Sequence, residues 1–351
     1  MNKNKNFTLK DLSKITGVST TTISNVLSNR GRFNEKTKQK VLKAVDQHGY
    51  RANIVARTLK SKKSKFIGVL IPSMLSEYYF LVIKGMEDIA KEKGYTLLIH
   101  SYDNSIDEEI ATIKKLHRFY IDGLILLGGS KRLDHLMEMT DRLPTVMVDR
   151  EIENAPFSQV NIKNKLAMKD AVNYICSLGH DEIGYVGFNF QNSIANVELR
   201  KEGFIEALKD NKKKIREEYV IYESYKNPLG AIKEFYEHIR ENFSKIKNLP
   251  TALITQNDYN AIAVIKYLRD INIRVPEDIS VMGFTNISMS EYVFPPLTTI
   301  THPKRSMGKY SLELLINIIE KGEDNIVKKY FDSKLLVRES TAKPRTWKID
   351  N

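Results

Sequence analysis

The sequence is poor in several features on which whole classes of function depend. One cysteine, Cys176, stands among 351 residues, so no internal disulfide and no Cys-rich metal scaffold can form. No stretch approaches the ~18 apolar residues of a membrane-spanning helix. The start, Met1-Asn2-Lys3-Asn4-Lys5-Asn6, has no apolar run behind its lysines and does not read as a secretory signal. A soluble, cytoplasmic protein is expected. The sequence also lacks a Gly-x-x-x-x-Gly-Lys phosphate loop, a Gly-x-Ser-x-Gly elbow and a His-Glu-x-x-His pair, and its seven histidines are scattered. No catalytic activity, cofactor or bound metal is therefore expected. The His180-Asp181 neighbours read as a surface turn. Neither a repeat of 20–50 residues nor a low-complexity tract is present.

What is present is a strong asymmetry of charge. The whole chain carries +12, with 42% hydrophobic residues, enough for real cores. Residues 1–65 hold twelve Lys and four Arg against Asp11, Glu35 and Asp46, a net +13; the other 286 residues hold 39 basic and 40 acidic side chains. A small, strongly basic module on a neutral body is the electrostatic footprint of a polyanion binder.

Within that module the local signals are helical. Thr8 followed by Asp11 forms a capping-box start, with Leu9, Leu12, Ile15 and Thr16 at helical spacing up to Gly17. Ser19 can cap a second helix that turns Ile23, Val26 and Leu27 inward. Its outward face carries Thr20, Thr21, Thr22, Ser24 and Asn25, short polar groups suited to base edges and phosphates. Asn34 can cap a third helix with Val41, Leu42 and Val45 inward, ending near Gly49. Two short helices about a Gly turn, braced by a third, make a helix-turn-helix unit. The next segment, through Leu59 and Lys60, is too short for a stable isolated helix and suits ordering on DNA.

From Phe66 onward, continuous apolar strands alternate with helices. Strands are predicted at Ile67–Ile71, Tyr95–His100, Gly123–Leu127, Thr145–Val148, Ile183–Gly187, Tyr219–Tyr222, Ala252–Thr255 and Ser280–Phe284. This is the pattern of a parallel α/β architecture, with more strands than one sheet needs, so two lobes are expected.

The pieces Thr8-Leu9-Lys10-Asp11, Gly17-Val18-Ser19-Thr20-Thr21-Thr22-Ile23-Ser24 and Asn53-Ile54-Val55-Ala56-Arg57-Thr58-Leu59 resemble the headpiece and hinge of the LacI/GalR family of bacterial transcriptional regulators. The resemblance continues through Ser177-Leu178-Gly179-His180, Asn257-Asp258, Val275-Pro276-Glu277-Asp278-Ile279 and Pro296-Leu297-Thr298-Thr299-Ile300. It implies an all-α helix-turn-helix headpiece (1–51), a hinge helix and linker (52–65), a two-lobed α/β periplasmic-binding-protein-like effector and dimerisation domain (66–341) and a C-terminal tail (342–351), frayed over Lys343–Asn351. It further implies Thr20, Thr21 and Asn25 on bases and Ser19, Thr22 and Ser24 on phosphates. Asn53, Ala56 and the wedge Leu59 would lie in the minor groove. Asn25 stands where many members carry arginine, and asparagine suits adenine where arginine suits guanine; Ala52 stands where proline is usual.

Ligands of open α/β sheets bind beyond the carboxyl ends of strands. Tyr79, Phe80, Asp149, Tyr225, Asn257 and Asp258 follow strands, Arg200 offers a planar fork for hydroxyls, and all seven match family positions at or near the effector pocket. Thr285 stands where the family has an effector-binding aspartate. The expected function is a homodimeric repressor that binds a pseudo-palindromic double-stranded operator under control of a sugar or sugar phosphate. The alternative is a global catabolite regulator of the same family that answers to a phosphorylated carrier protein. A solute-binding protein would lack the headpiece, and a sugar kinase would need nucleotide motifs.

Overall fold

The computed structural model describes residues 7–27, 31, 33–50, 63–103, 105–130, 132, 134–140, 143–190, 195–225, 232–322 and 325–345. The chain divides into two compact units, Met1–Ser64 and Lys65–Asn351.

The first unit is three helices: α1 (Leu9–Thr16), α2 (Thr20–Leu27) and α3 (Glu35–His48). The Thr8 hydroxyl accepts from the Asp11 N–H while the Asp11 carboxylate accepts from the Thr8 N–H at 3.0 Å, a complete capping box. Gly17 and Gly49 close α1 and α3 in the left-handed conformation. Leu12, Ile23, Val26, Val41 and Ala44 form the buried core. Leu42, expected inward, is 45% exposed. The helical period sends Val41 and Ala44 to the core, and a residue 100° round from Val41 faces water.

In the second unit a six-stranded parallel sheet carries the first lobe. Its sequence-ordered strands are β1 (Phe66–Ile71), β2 (Thr96–Ser101), β3 (Gly123–Leu127), β4 (Thr145–Val148), β5 (Ser158–Ile162) and β11 (Lys328–Phe331). A four-stranded parallel sheet of β6 (Ile183–Phe190), β7 (Val220–Tyr225), β8 (Ala252–Thr255) and β9 (Ser280–Met282) carries the second lobe. β10 (Thr299–Thr301) and β12 (Lys334–Leu336) pair antiparallel. The central strands β1, β3, β4 and β8 are nearly continuous buried apolar runs, as a sheet covered on both faces demands. The chain passes between the lobes at 162–164, 301–304 and 331–334.

Strand β5 was not expected, because Ser158, Gln159 and Asn161 interrupt its apolar pattern. Burial of two of these is compensated locally: Gln159 exchanges hydrogen bonds with the Ile152 backbone at 3.0 and 2.7 Å, and the Ser158 hydroxyl accepts from Val327 N–H. His180, expected at a surface turn, is buried, its ring nitrogens 2.9 Å from the Thr251 hydroxyl and 2.8 Å from the Ala342 carbonyl. The tail is tied down as far as Arg345, which pairs with Asp278 at 2.9 Å, whereas fraying from Lys343 was expected.

Helices α4 (Glu77–Lys93) and α12 (Lys304–Lys321) cross at two glycines. A Cβ on Gly308 would lie 1.8 Å from the Val82 carbonyl oxygen, and one on Gly85 2.0 Å from that of Arg305. Gly308→Ala should therefore destabilise the body by about 3 kcal/mol, outweighing the ~1 kcal/mol that alanine returns in helix propensity. Urea unfolding should show a lower midpoint at unchanged slope; an unshifted midpoint would mean the helices part freely. At its far end α12 presents Glu320 to Lys65, whose ammonium lies 3.2 Å from the carboxylate and over the Tyr95 ring.

Candidate functional site

Two sites emerge, one in each unit. On α2 the exposed side chains are Thr21 and Asn25, with Thr20, Thr22 and Ser24 half-buried beside them. Ser19 precedes the helix; its hydroxyl accepts from the Thr22 N–H at 3.1 Å and lies 2.8 Å from the Thr22 hydroxyl. Ser19 and Thr22 thus fix the helix start while Thr21 and Asn25 project outward. No acidic side chain stands on α2, so a short, polar, carboxylate-free face is offered to a polyanion. Asn53, Ala56 and Leu59 lie outside the described residues.

The second site is a cleft of about 130 Å³ between the lobes. Pro72, Ser73, Leu75, Ser76, Tyr78 and Tyr79 enter it from the end of β1 and the start of α4, and Gly128 and Asp149 from the ends of β3 and β4. The second lobe supplies Asn196, Val197 and Arg200 from α8 (Ala195–Asp210) and Phe235 from α9 (Ile232–Phe243). Gln256, Asn257 and Tyr259 come from the junction of β8 with α10 (Asp258–Asp270), and Thr285 from the loop after β9.

The polar groups are held firmly. Arg200 donates from Nε to Asn164 Oδ1 and from Nη1 to the Gln256 carbonyl, both at 2.8 Å, and its guanidinium lies 4.2 Å from the centre of the Phe284 ring. Asp149 has a positive φ of 52° and accepts from the Asn196 side-chain amide. Burial pushes the Asp149 carboxyl up to about 6, although the Arg200 charge and the Asn196 hydrogen bond pull it the other way. The Tyr78 hydroxyl lies in the field of Asp149 without a hydrogen bond of standard geometry. Behind it, burial holds His302 neutral, with both ring nitrogens lacking a hydrogen-bond partner among the described residues.

Of the residues expected at the effector site, Tyr79, Asp149, Arg200 and Asn257 line this cleft. Phe80 does not; the turn of α4 leaves it 45% exposed. Asp258 does not either. It is fully buried and accepts from Thr299 Oγ1 (2.6 Å), Ile287 N–H and Ser290 Oγ (2.8 Å each) and Thr285 Oγ1 (3.3 Å), binding the α10 start to the loop after β9. Asn257, not Asp258, caps α10, accepting from Asn260 N–H at 3.0 Å. Tyr225 ends β7, and its side chain lies outside the described residues. Sequence reading passed over Asn196, although it precedes Arg200 by four residues, one helical turn, and so shares its face. It also missed Gln256, Tyr259 and Phe235. Among the described residues no group of three His, Cys, Asp or Glu is placed to hold a metal, and no helix is long and apolar enough to cross a membrane.

A helix-turn-helix unit joined to a two-lobed body with a cleft between parallel sheets defines a DNA-binding headpiece on a periplasmic-binding-protein-like domain. Residues 8–53 match the bacterial regulatory proteins of the lacI family, and residues 172–341 the periplasmic binding protein-like domain. The HTH-type transcriptional regulator RegA of Clostridium acetobutylicum is 34% identical over 336 residues, covering 95% of this chain and 98% of that protein. The HTH-type transcriptional repressor PurR of Vibrio parahaemolyticus is 30% identical over 319 residues, covering 90% and 93%. The chain belongs to the LacI family and is a DNA-binding transcriptional regulator. Among solved structures, a LacI family transcriptional regulator from Enterococcus faecium with bound ribose is 26% identical, with a TM-score of 0.70 over 80% of this chain and 100% of that one. The lac repressor dimer bound to operator and the anti-inducer ONPF shares the fold, with a TM-score of 0.82 at 23% identity over 96% of this chain and 100% of that one.

Proposed function

We propose that this protein is a cytoplasmic repressor that binds a pseudo-palindromic operator as a homodimer and is controlled by a small neutral carbohydrate in the interlobe cleft. In this reading Thr20, Thr21 and Asn25 read bases, Ser19, Thr22 and Ser24 hold phosphates, and Asn53, Ala56 and Leu59 of a hinge spanning 52–65 enter the minor groove. Tyr79, Asp149, Arg200 and Asn257 hold the effector, joined by Asn196 and Tyr259. The lac repressor dimer among the neighbours of this fold supports a dimer.

The observation that carries the ligand class is the charge of the cleft. Among its described lining residues Arg200 is the one cation, two of its five donors are already committed, and Asp149 lies beside it. A phosphate group needs free cationic donors. Tyr79, Phe235 and Tyr259 offer flat faces for sugar C–H surface, and Asp149, Asn196 and Asn257 offer paired donors and acceptors for hydroxyls.

A thermal-shift screen over free sugars and their phosphates tests this. A neutral sugar at a hundred times its Kd should stabilise the body by ~2.7 kcal/mol, a rise in Tm of roughly 5–11 °C. The same sugar should then change mobility shifts on fragments selected from genomic DNA. A response confined to phosphorylated compounds, or to a phosphorylated carrier protein, would overturn the neutral-sugar assignment.

A further inference from the structure

Helix α4 begins at the mouth of the cleft, and its start is incomplete within its own lobe. The first N–H groups of a helix have no partner inside it and look to a capping side chain. Ser76 holds the cap position but makes no side-chain cap hydrogen bond. The missing acceptor comes from the other lobe: the Glu77 N–H donates to the Tyr259 hydroxyl at 3.1 Å, and that hydroxyl faces the Leu75 carbonyl at 3.5 Å. In return the Glu77 carboxylate accepts from both the N–H and the hydroxyl of Ser288, each at 2.8 Å. Tyr259 and Ser288 belong to the second lobe, following β8 and β9; Glu77 belongs to the first. On the opposite flank a second bridge joins the lobes, where Asn196 accepts from the Glu151 N–H at 3.3 Å and donates to Asp149.

We propose that Glu77, Tyr259 and Ser288 form a latch that holds the lobes together, so that closing the cleft completes the cap of α4 and opening it leaves that helix start bare. The latch is separate from the groups assigned to the effector's hydroxyls, except that Tyr259 serves both. Glu77 is a positioning residue: it sets how far the cleft stands closed and hence how well Asp149 and Arg200 face each other across it. The inference rests on the reading of the cleft as the regulatory site and adds what governs its closure. An acceptor atom is required at position 77, and charge is not, because both Ser288 bonds end on one carboxylate oxygen.

Amide hydrogen exchange on the full-length protein, without ligand or DNA, tests the latch independently of the sugar assignment. Glu77→Ala should speed exchange about tenfold or more at Ser288 and also at Glu151 on the far flank, since the lobes part as bodies. Amides inside the sheets, such as Val69 and Ile254, should keep their protection, which shows that the fold survives. Glu77→Gln, which retains an acceptor oxygen, should exchange like the unaltered protein. Faster exchange at Ser288 alone, with Glu151 unmoved, would reduce Glu77 to a local cap and overturn the proposal. So would a Gln variant that behaves like alanine. Failure of every sugar in the thermal-shift screen would leave these outcomes unaffected.

Discussion

Asp149→Asn should make the ligand-free protein more stable at pH 7.5 and leave it little changed at pH 4. The carboxyl titrates at about 6 in the folded body against an ordinary 3.8, because burial disfavours its charge. Between those values the folded state holds a proton that the unfolded chain has released, so the contribution of this group to stability is full below pH 3.8 and is lost as pH rises to 6. The shift corresponds to about 3 kcal/mol at neutral pH. Asparagine carries no charge to desolvate, and its carbonyl can still accept from Asn196. Chemical denaturation of both proteins from pH 4 to 8 should give stability curves that separate above pH 4 and run parallel above pH 6; curves that never separate would refute the assignment. The same substitution should weaken the effector, since a neutral amide accepts hydroxyl protons less strongly than a carboxylate. With Asp149 in the proposed effector site, stability and ligand recognition pull in opposite directions at one residue.

Operator affinity should fall by about 10³–10⁵ between 50 and 200 mM salt, the loss expected when 6–10 phosphates are neutralised. The +13 of residues 1–65 supplies that charge, and the remaining 286 residues are nearly neutral. Effector affinity should stay almost flat over the same range, because the proposed ligand is uncharged. Fluorescence anisotropy on a selected duplex, with a parallel ligand titration, separates the two. A shallow salt dependence on DNA would mean that the basic module does not track the backbone.

Much of this architecture was legible because single residues decide it. Thr8 with Asp11, Gly17 and Gly49 announce helix ends whatever surrounds them, and the buried parallel strands show as uninterrupted Val, Ile and Leu. Strand β5 was hidden, since Ser158 and Gln159 become tolerable only through partners at Val327 and Ile152, far or irregular in sequence. The cleft divided in the same way. Strand-end logic reached Tyr79, Asp149 and Asn257. It could not foresee that Asp258 turns away to gather Thr285, Ile287, Ser290 and Thr299, or that α4 leaves Phe80 outside. Direction along a helix is a matter of one residue, and it separates a ligand contact from a structural tie.

The paired glycines of α4 and α12 bear on how news of the cleft could travel. At the two glycines backbone is seated on backbone, with no side chain between to yield. One end of α12 sets the Lys304 ammonium on the Asn286 carbonyl beside the cleft; about 24 Å along the helix Glu320 grips Lys65, where the chain enters the body. Such a spar turns as a whole. A tilt imposed beside the cleft would then be carried along the helix to Lys65, instead of being soaked up along the way.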